Sequence, residues 1–571
     1  MSFVVGAVAL IVLSSRPDLV GVRAGKADEN YIPSENCVAC HQDHHSSWRK
    51  THHSRMTQDI SPATVQGDFV EDRILEYAGA KATMSKRGSR YFMDIIYPDG
   101  RNENNEIFRT IGSRRVEQYV TRRNGQYYRL PVAWDIERKR WMSLNGSFFY
   151  PDSDNFNQHL AQWDTNCVFC HNVKAQPNFD FRTRQAKTEV AELGIACGAC
   201  HGQGAEHAEA ASSPLTRLVW RLNDSSDTKI VDPKELNSDR AMMICGHCHG
   251  QRVPEPIDRI REIFAKGDPF DAGEDLSLFY HPVGPETKLG DVSFENRFWG
   301  DGSPRLTAYE YQGILASKCF TRGEPGNRIN CLGCHTMHGG DIKGQITEEK
   351  RSNKACTSCH TELASDEGLT RHSKHLAASP GSSCYSCHMP EVVSGIMAFH
   401  KTHKISVPEP NLTLEKNVPN ACNQCHVDRS LNWTIATSKE MWPSRYGGLI
   451  AGGPEFDRPE SERGLFGGDA LTRAMMADAL LKHGERDRVL LLLTEAFAAD
   501  NYPIVRFFAA NGLTSDQAGI SKPDYLASPE MRAAQIAAWI RSLDPAQVER
   551  VRQEAEKLRR GRRDVDLEVG E

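Results

Sequence analysis

What this sequence has little of narrows it first. Apolar runs are scarce: only Phe3–Leu13 comes near a membrane segment, and its eleven residues fall short of the roughly 20 that a spanning helix needs. That length suits the core of a signal peptide, and Val22-Arg23-Ala24 or Gly25-Lys26-Ala27 offers a cleavage site. The usual positive flank is missing, the first basic residue being Arg16. Residues 1–27 are therefore read as a signal peptide or a short anchor. Positive charge is also lacking. A net charge of -6 excludes a broad basic surface for nucleic acid and makes a partner with a basic patch the better complement. Hydrophobic residues are only 39% of the chain, so part of the interior has to come from something other than side chains.

Spare cysteine is absent too. Of 17 cysteines, sixteen fall into eight copies of Cys-x-x-Cys-His, and only Cys319 is left over. The copies are Cys37/Cys40/His41, Cys167/Cys170/His171, Cys197/Cys200/His201, Cys245/Cys248/His249, Cys331/Cys334/His335, Cys356/Cys359/His360, Cys384/Cys387/His388 and Cys422/Cys425/His426. Structural zinc sites and disulfides both use cysteine pairs, but neither requires a histidine directly after the second cysteine every time. Haem c attachment does. Each sulfur adds to a vinyl group, and the adjacent imidazole becomes the proximal iron ligand. The reading is eight covalently attached haems, with the porphyrins forming much of the core.

The proximal histidines leave two long gaps, from His41 to His171 and from His249 to His335. The first reads as β. Tyr91–Tyr97 is aromatic and β-branched and is followed by Pro98-Asp99-Gly100, while Val116–Arg122 and Gln126–Trp134 flank the hairpin signal Asn124-Gly125. The second gap reads as loops. Beyond about residue 455 cysteine disappears, and cap and stop signals at Asp469, Gly484, Pro503, Ser528-Pro529 and Asp544-Pro545 predict five antiparallel helices similar to HEAT-type repeats. The expected fold is mainly α with much irregular loop. It comprises a multihaem cytochrome c core over 28–435, a small antiparallel β insertion at about 85–150, and a helical domain over 455–571.

Each haem iron needs a sixth ligand, or keeps that position open for a substrate. The chain has 22 histidines, and removing the eight proximal ones leaves fourteen, enough for every iron. By position His207, His338, His372, His375, His400 and His403 lie close to motifs. His247 sits within its own motif and could reach only a neighbouring iron. Met56 and Met389 are further candidates, although methionine more often packs than ligates. Cys319 reads as a buried, inert thiol.

Several segments resemble cytochrome c-554-like multihaem proteins. They are Trp48–Met56, Leu130–Asp135, the Cys-His-Gly loop ending at His207, Cys387-His388-Met389-Pro390, Val407–Pro410 and Pro419–Cys422, within residues 35–435. The layout is more distantly similar to octahaem hydroxylamine oxidoreductases and pentahaem nitrite reductases. The resemblance implies His53, His207, His338, His372, His375 and His403 as distal ligands. The remaining two irons would draw on His44, His45, His159, His247, His281 or His400. The chain departs from the enzymes in lacking Cys-x-x-Cys-Lys and any motif for a cross-linked tyrosine.

The expectation is a periplasmic or otherwise extracytoplasmic electron relay, because c-type haem is attached outside the bacterial cytoplasm. It would be served by redox partner proteins, among them a membrane respiratory complex docked through the C-terminal helices. The alternative is an oxidoreductase acting on a small nitrogen or sulfur compound at one open-site haem. A pyridine haemochrome titration of the purified protein is expected to return eight equivalents per chain; far fewer would overturn the motif reading.

Overall fold

The structure is a computed structural model. It describes residues 29–567 except 71, 224–226, 307, 395, 514–521 and 566, so the expected signal or anchor lies outside the described residues. The chain enters through α1 (Val38–Trp48), which carries the first motif and kinks at His41. The buried Trp48 donates from Nε1 to the Ile195 carbonyl at 2.8 Å and ties α1 to the third motif.

Seven antiparallel strands follow in sequence order: β1 (Arg73–Tyr77), β2 (Ala80–Arg87), β3 (Arg90–Ile96), β4 (Asn102–Ile111), β5 (Val116–Arg123), β6 (Gln126–Asp135) and β7 (Arg140–Ser143). The last strand returns beside the first, so the sheet is a nearly closed barrel. Register shifts at Ile107/Arg109 and Gln118/Val120 mark bulges, which bend strands as closure requires. Asn124 and Gly125, with φ of 51° and 83°, make the hairpin between β5 and β6, where a two-residue turn needs left-handed backbone at both positions. The lumen is filled by Ala82, Met84, Met93, Ile95 and Tyr119, and Phe69 meets Tyr91, Tyr119 and Trp141 edge-on at 5.0–5.3 Å.

This barrel corrects the expected fold class. The chain is 41% helical and 17% strand, and the barrel runs from Arg73 to Ser143 rather than forming a small insertion on a mainly α core. Its first two strands, Arg-Ile-Leu-Glu-Tyr and Ala-Lys-Ala-Thr-Met-Ser-Lys-Arg, carry little intrinsic β preference. Pairing of β1 with β2 and of β2 with β3, and full burial of Ala82 and Met84, make them strands, and that selection comes from tertiary context.

Two short helices, α2 (Ala205–Ser212) and α3 (Pro214–Asn223), follow the third motif. The chain closes with α4 (Glu460–Gly467), α5 (Ala470–His483), α6 (Arg486–Ala499), α7 (Pro503–Gly512), α8 (Pro529–Ser542) and α9 (Pro545–Arg560), one more helix than the five expected. Asp469 caps α5 by accepting from Thr472 N at 2.9 Å, and Asp544 caps α9 by accepting from Ala546 N at 2.9 Å. Among the described residues no helix is long and apolar enough to cross a membrane.

These helices are not a detachable tail. One apolar cluster joins Leu480, Phe497 and Phe507 to Ala133, Met142 and Phe149 of the barrel side and to Trp299, Leu306, Val393 and Met397 of the motif-bearing region. Arg506 lies buried and reaches Asp152 through both terminal nitrogens at 2.8 Å. Arg473 is fully buried, bonding Asp500 at 2.8 and 3.2 Å and the Gly468 carbonyl at 2.9 Å. Removing one member of such a pair leaves a buried uncompensated charge. Arg473→Ala should therefore cost about 3 kcal/mol or more, read as a lowered thermal unfolding midpoint. A chain ended at residue 454 would expose that shared cluster and is expected to be recovered insoluble.

Candidate haem sites

Each motif is built on a short helical turn. His249 N donates to the Cys245 carbonyl at 2.8 Å, His335 N to Cys331 at 2.9 Å, His360 N to Cys356 at 3.0 Å and His426 N to Cys422 at 2.9 Å. A turn of helix brings positions i, i+3 and i+4 to one side. The two sulfurs can then grip one porphyrin edge while the imidazole stands beneath the ring, which is the physical reason for this spacing.

Three motif sulfurs lie at the surface of the polypeptide. Cys40 on α1, Cys359 in the sixth motif and Cys425 in the eighth are exposed. Cys40 and Cys359, both assigned to haem attachment, stand at the surface of the polypeptide and not in its interior. The reason is local: Ala39, His41, Gln42 and Asp43 around Cys40 are themselves exposed, as are Ser358, His360 and Thr361 around Cys359. The exposed Cys319 is a further neighbour of Cys359. A thioether bond asks only that a porphyrin edge be within reach of the sulfur, so exposure of these three cysteines is compatible with haem attachment.

Six of the eight motif histidines face a second imidazole across a gap. Ring centroids are 6.2 Å apart for His41–His207, 6.1 Å for His53–His249, 6.4 Å for His201–His338, 6.3 Å for His335–His403, 6.0 Å for His372–His388 and 6.1 Å for His375–His426. A metal ion bound by two imidazole nitrogens at about 2 Å each, with a ring radius of about 1 Å, puts the centroids roughly 6 Å apart. The spacing suits one iron between each pair. Five pairs lie within 32° of parallel; His53–His249 is at 77°.

Several of these rings are oriented through Nδ1, which leaves Nε2 for the gap. His201 Nδ1 meets the Val231 carbonyl at 2.8 Å, His335 that of Gly344 at 2.8 Å, His388 that of Ser406 at 2.8 Å and His375 that of Ser373 at 2.7 Å. His207 Nδ1 lies 2.7 Å from the Asp227 carboxylate. Such outer partners fix the ligand tautomer and ring angle. Burial drives His53 and His403 down to about 4, so both are neutral, as metal ligation requires.

The other candidates fall elsewhere. His44 also lies 6.2 Å from His41, but it stacks on His338 at 4.4 Å, too close for an ion between them. His247 Nε2 is taken by Asp268 at 2.7 Å, and His400 Nε2 by Glu310 at 3.0 Å. Burial opposes the charge on both carboxylates. The neighbouring histidines, with Arg252 beside Asp268, nevertheless hold Glu310 near 2 and Asp268 well below the usual range. His159 packs on Phe148 and Tyr150 at 4.4 and 4.9 Å, and burial drives it down to about 4. His45 lies on Trp48 at 5.2 Å, and His281 sits in a strand paired with Val253. Cys319, expected buried, is exposed. Sequence reasoning missed Asp227, Asp268 and Glu310, because nothing in the sequence links them to histidines 20, 21 and 90 residues away.

Cysteines of different motifs meet. Cys37 bonds Cys197, Cys170 bonds Cys248, Cys245 bonds Cys331 and Cys356 bonds Cys384. Weaker contacts link Cys200 to Cys245, Cys334 to Cys356 and Cys387 to Cys422. In a haem-bearing protein these sulfurs are thioethers, so it is the adjacency that matters and not the hydrogen bond. Motifs one, three, four, five, six, seven and eight follow one another in space, with motif two set against motif four.

The arrangement fits large cofactors. Among the described residues from 331 to 426, the only buried hydrophobic side chains are Val393, Met397 and Ala421. Four motifs thus share a segment that has almost no side-chain core of its own.

A family profile described as a doubled CXXCH motif matches residues 324–365, the fifth and sixth motifs. No curated protein matches the chain. Among solved structures, the crystal structure of outer cell wall cytochrome OcwA is similar at 15% identity, covering 93% of this chain and 99% of that one, with a TM-score of 0.47. The repeated motif and the matching profile support the class: a multihaem c-type cytochrome that binds haem c covalently.

A Cβ at Gly381 would lie 2.3 Å from Cδ2 of His375. Gly381→Ala is expected to turn that ring away from His426 and to change the electron paramagnetic resonance signal of one haem while sparing the rest.

Proposed function

We propose that the chain holds eight haem c groups and relays electrons along them outside the cytoplasm. The carrying observation is the set of six imidazole pairs, each uniting a motif histidine with one of His53, His207, His338, His372, His375 and His403 at 6.0–6.4 Å. Haem c supplies reversible one-electron chemistry when bound. The sixteen motif cysteines would tether it, and at six of the eight motifs the paired histidines would both hold the iron. In five of the six pairs one ring is held by a backbone carbonyl or by Asp227, which limits rearrangement between oxidation states. Two nitrogen ligands also favour a lower potential than a histidine–methionine pair. The succession of motif cysteines gives a linear path from motif one to motif eight, with motif two as a branch at motif four. The partners proposed are redox proteins, a membrane respiratory complex among them. Extracytoplasmic placement is supported by where haem c is attached.

Electron paramagnetic resonance of the oxidised protein tests this directly. Low-spin haem should account for the spectrum. A substantial high-spin signal that shifts on adding nitrite or hydroxylamine would overturn the relay in favour of an oxidoreductase acting at one open haem. Within the relay, Asp227→Ala should loosen His207. About one haem per chain would then become high-spin and competent to bind carbon monoxide, with unchanged haem content.

A further inference from the structure

Helix α3 has an exposed apolar face. Leu215, Leu218, Val219 and Leu222 are 74%, 50%, 51% and 75% exposed, and their i, i+3, i+4, i+7 spacing puts them on one side of the helix. Four such residues in ten is the densest exposed apolar patch on the described surface. The opposite side is committed to the protein. Trp220 stacks on the His207 ring at 5.7 Å and 6°, and Arg217 bonds the Ala211 and Ser212 carbonyls at the junction with α2. Arg221 flanks the apolar face. Leucines on one side with an arginine beside them, at low overall hydrophobicity, are the pattern of a helix lying in a membrane interface.

A second observation lies next to it. The chain enters the described part at Glu29–Asn30, and the Asn30 carbonyl accepts from Gly204 N at 3.0 Å and Ala205 N at 3.1 Å, at the start of α2. Residues 1–28, which contain the apolar run Phe3–Leu13, therefore join the body beside the α2–α3 hairpin. That entry point lies on the side of the molecule where His41 and His207 face each other.

We propose that α3 docks this protein on a phospholipid bilayer surface, with its leucine face in the interface and the first motif next to the membrane. Docking itself does not require the relay reading. Its consequence, that electrons from a membrane donor enter at motif one, rests on that reading.

The test uses the full-length haem-loaded protein and sedimentation with vesicles of phosphatidylcholine and phosphatidylglycerol. The double variant Leu215→Glu/Leu222→Glu should bind about tenfold more weakly or worse, with an unchanged haem spectrum and circular dichroism. Arg221 predicts a further decrease in vesicles of phosphatidylcholine alone. Vesicle binding that is undiminished in the double variant would overturn the proposal, as would no vesicle binding by the wild type. So would a wild-type dimer, seen by light scattering, that the double variant abolishes, because a second copy would then be the occupant. Failure here leaves the paramagnetic resonance test of the relay untouched.

Discussion

An ion between two imidazoles accepts them from opposite sides, and a proximal histidine tethered beside its own cysteines cannot supply the second. The partner has to arrive from elsewhere in the chain. His53 of the first motif region reaches His249 of the fourth, His207 reaches back to His41, and His338 of the fifth motif region reaches back to His201. Each pairing, in the relay proposed above, ties two distant segments through one metal centre. The fold of the motif-bearing region follows from that requirement more than from apolar packing, since residues 331–426 bury almost no hydrophobic side chains.

The rest of the molecule is stabilised in the ordinary way. The barrel closes on its own lumen of Met84, Met93, Ile95 and Tyr119, and the C-terminal helices share a core with it and with the motif-bearing region. Buried arginines lock the seams, Arg506 to Asp152 and Arg473 to Asp500. Two kinds of cohesion therefore meet in one body. Side-chain burial builds a rigid frame, and that frame holds a region whose interior is left for cofactors.

How far the sequence could be read depended on the range of the signal. Cys-x-x-Cys-His is a local pattern, because one helical turn places its three functional residues, and all eight copies were legible. The Asn124-Gly125 hairpin and the Asp469 cap are equally local, and the structure has a turn and a cap at those positions. The barrel was underestimated because β1 and β2 carry weak β preference and become strands only by pairing, β1 with β2 and β2 with β3. Among the histidines, His53, His207, His338, His372, His375 and His403 meet motif rings. His247 and His400 lie just as near motifs in sequence, but their Nε2 atoms are engaged by Asp268 and Glu310.

The sequence alone determined the cofactor chemistry, covalent haem c, because the motif that signals it lies within five consecutive positions. Only the tertiary structure decided which distant ring stands opposite which, and in what order the motifs succeed one another. Both are contacts between residues far apart along the chain, and no short-range pattern encodes such contacts.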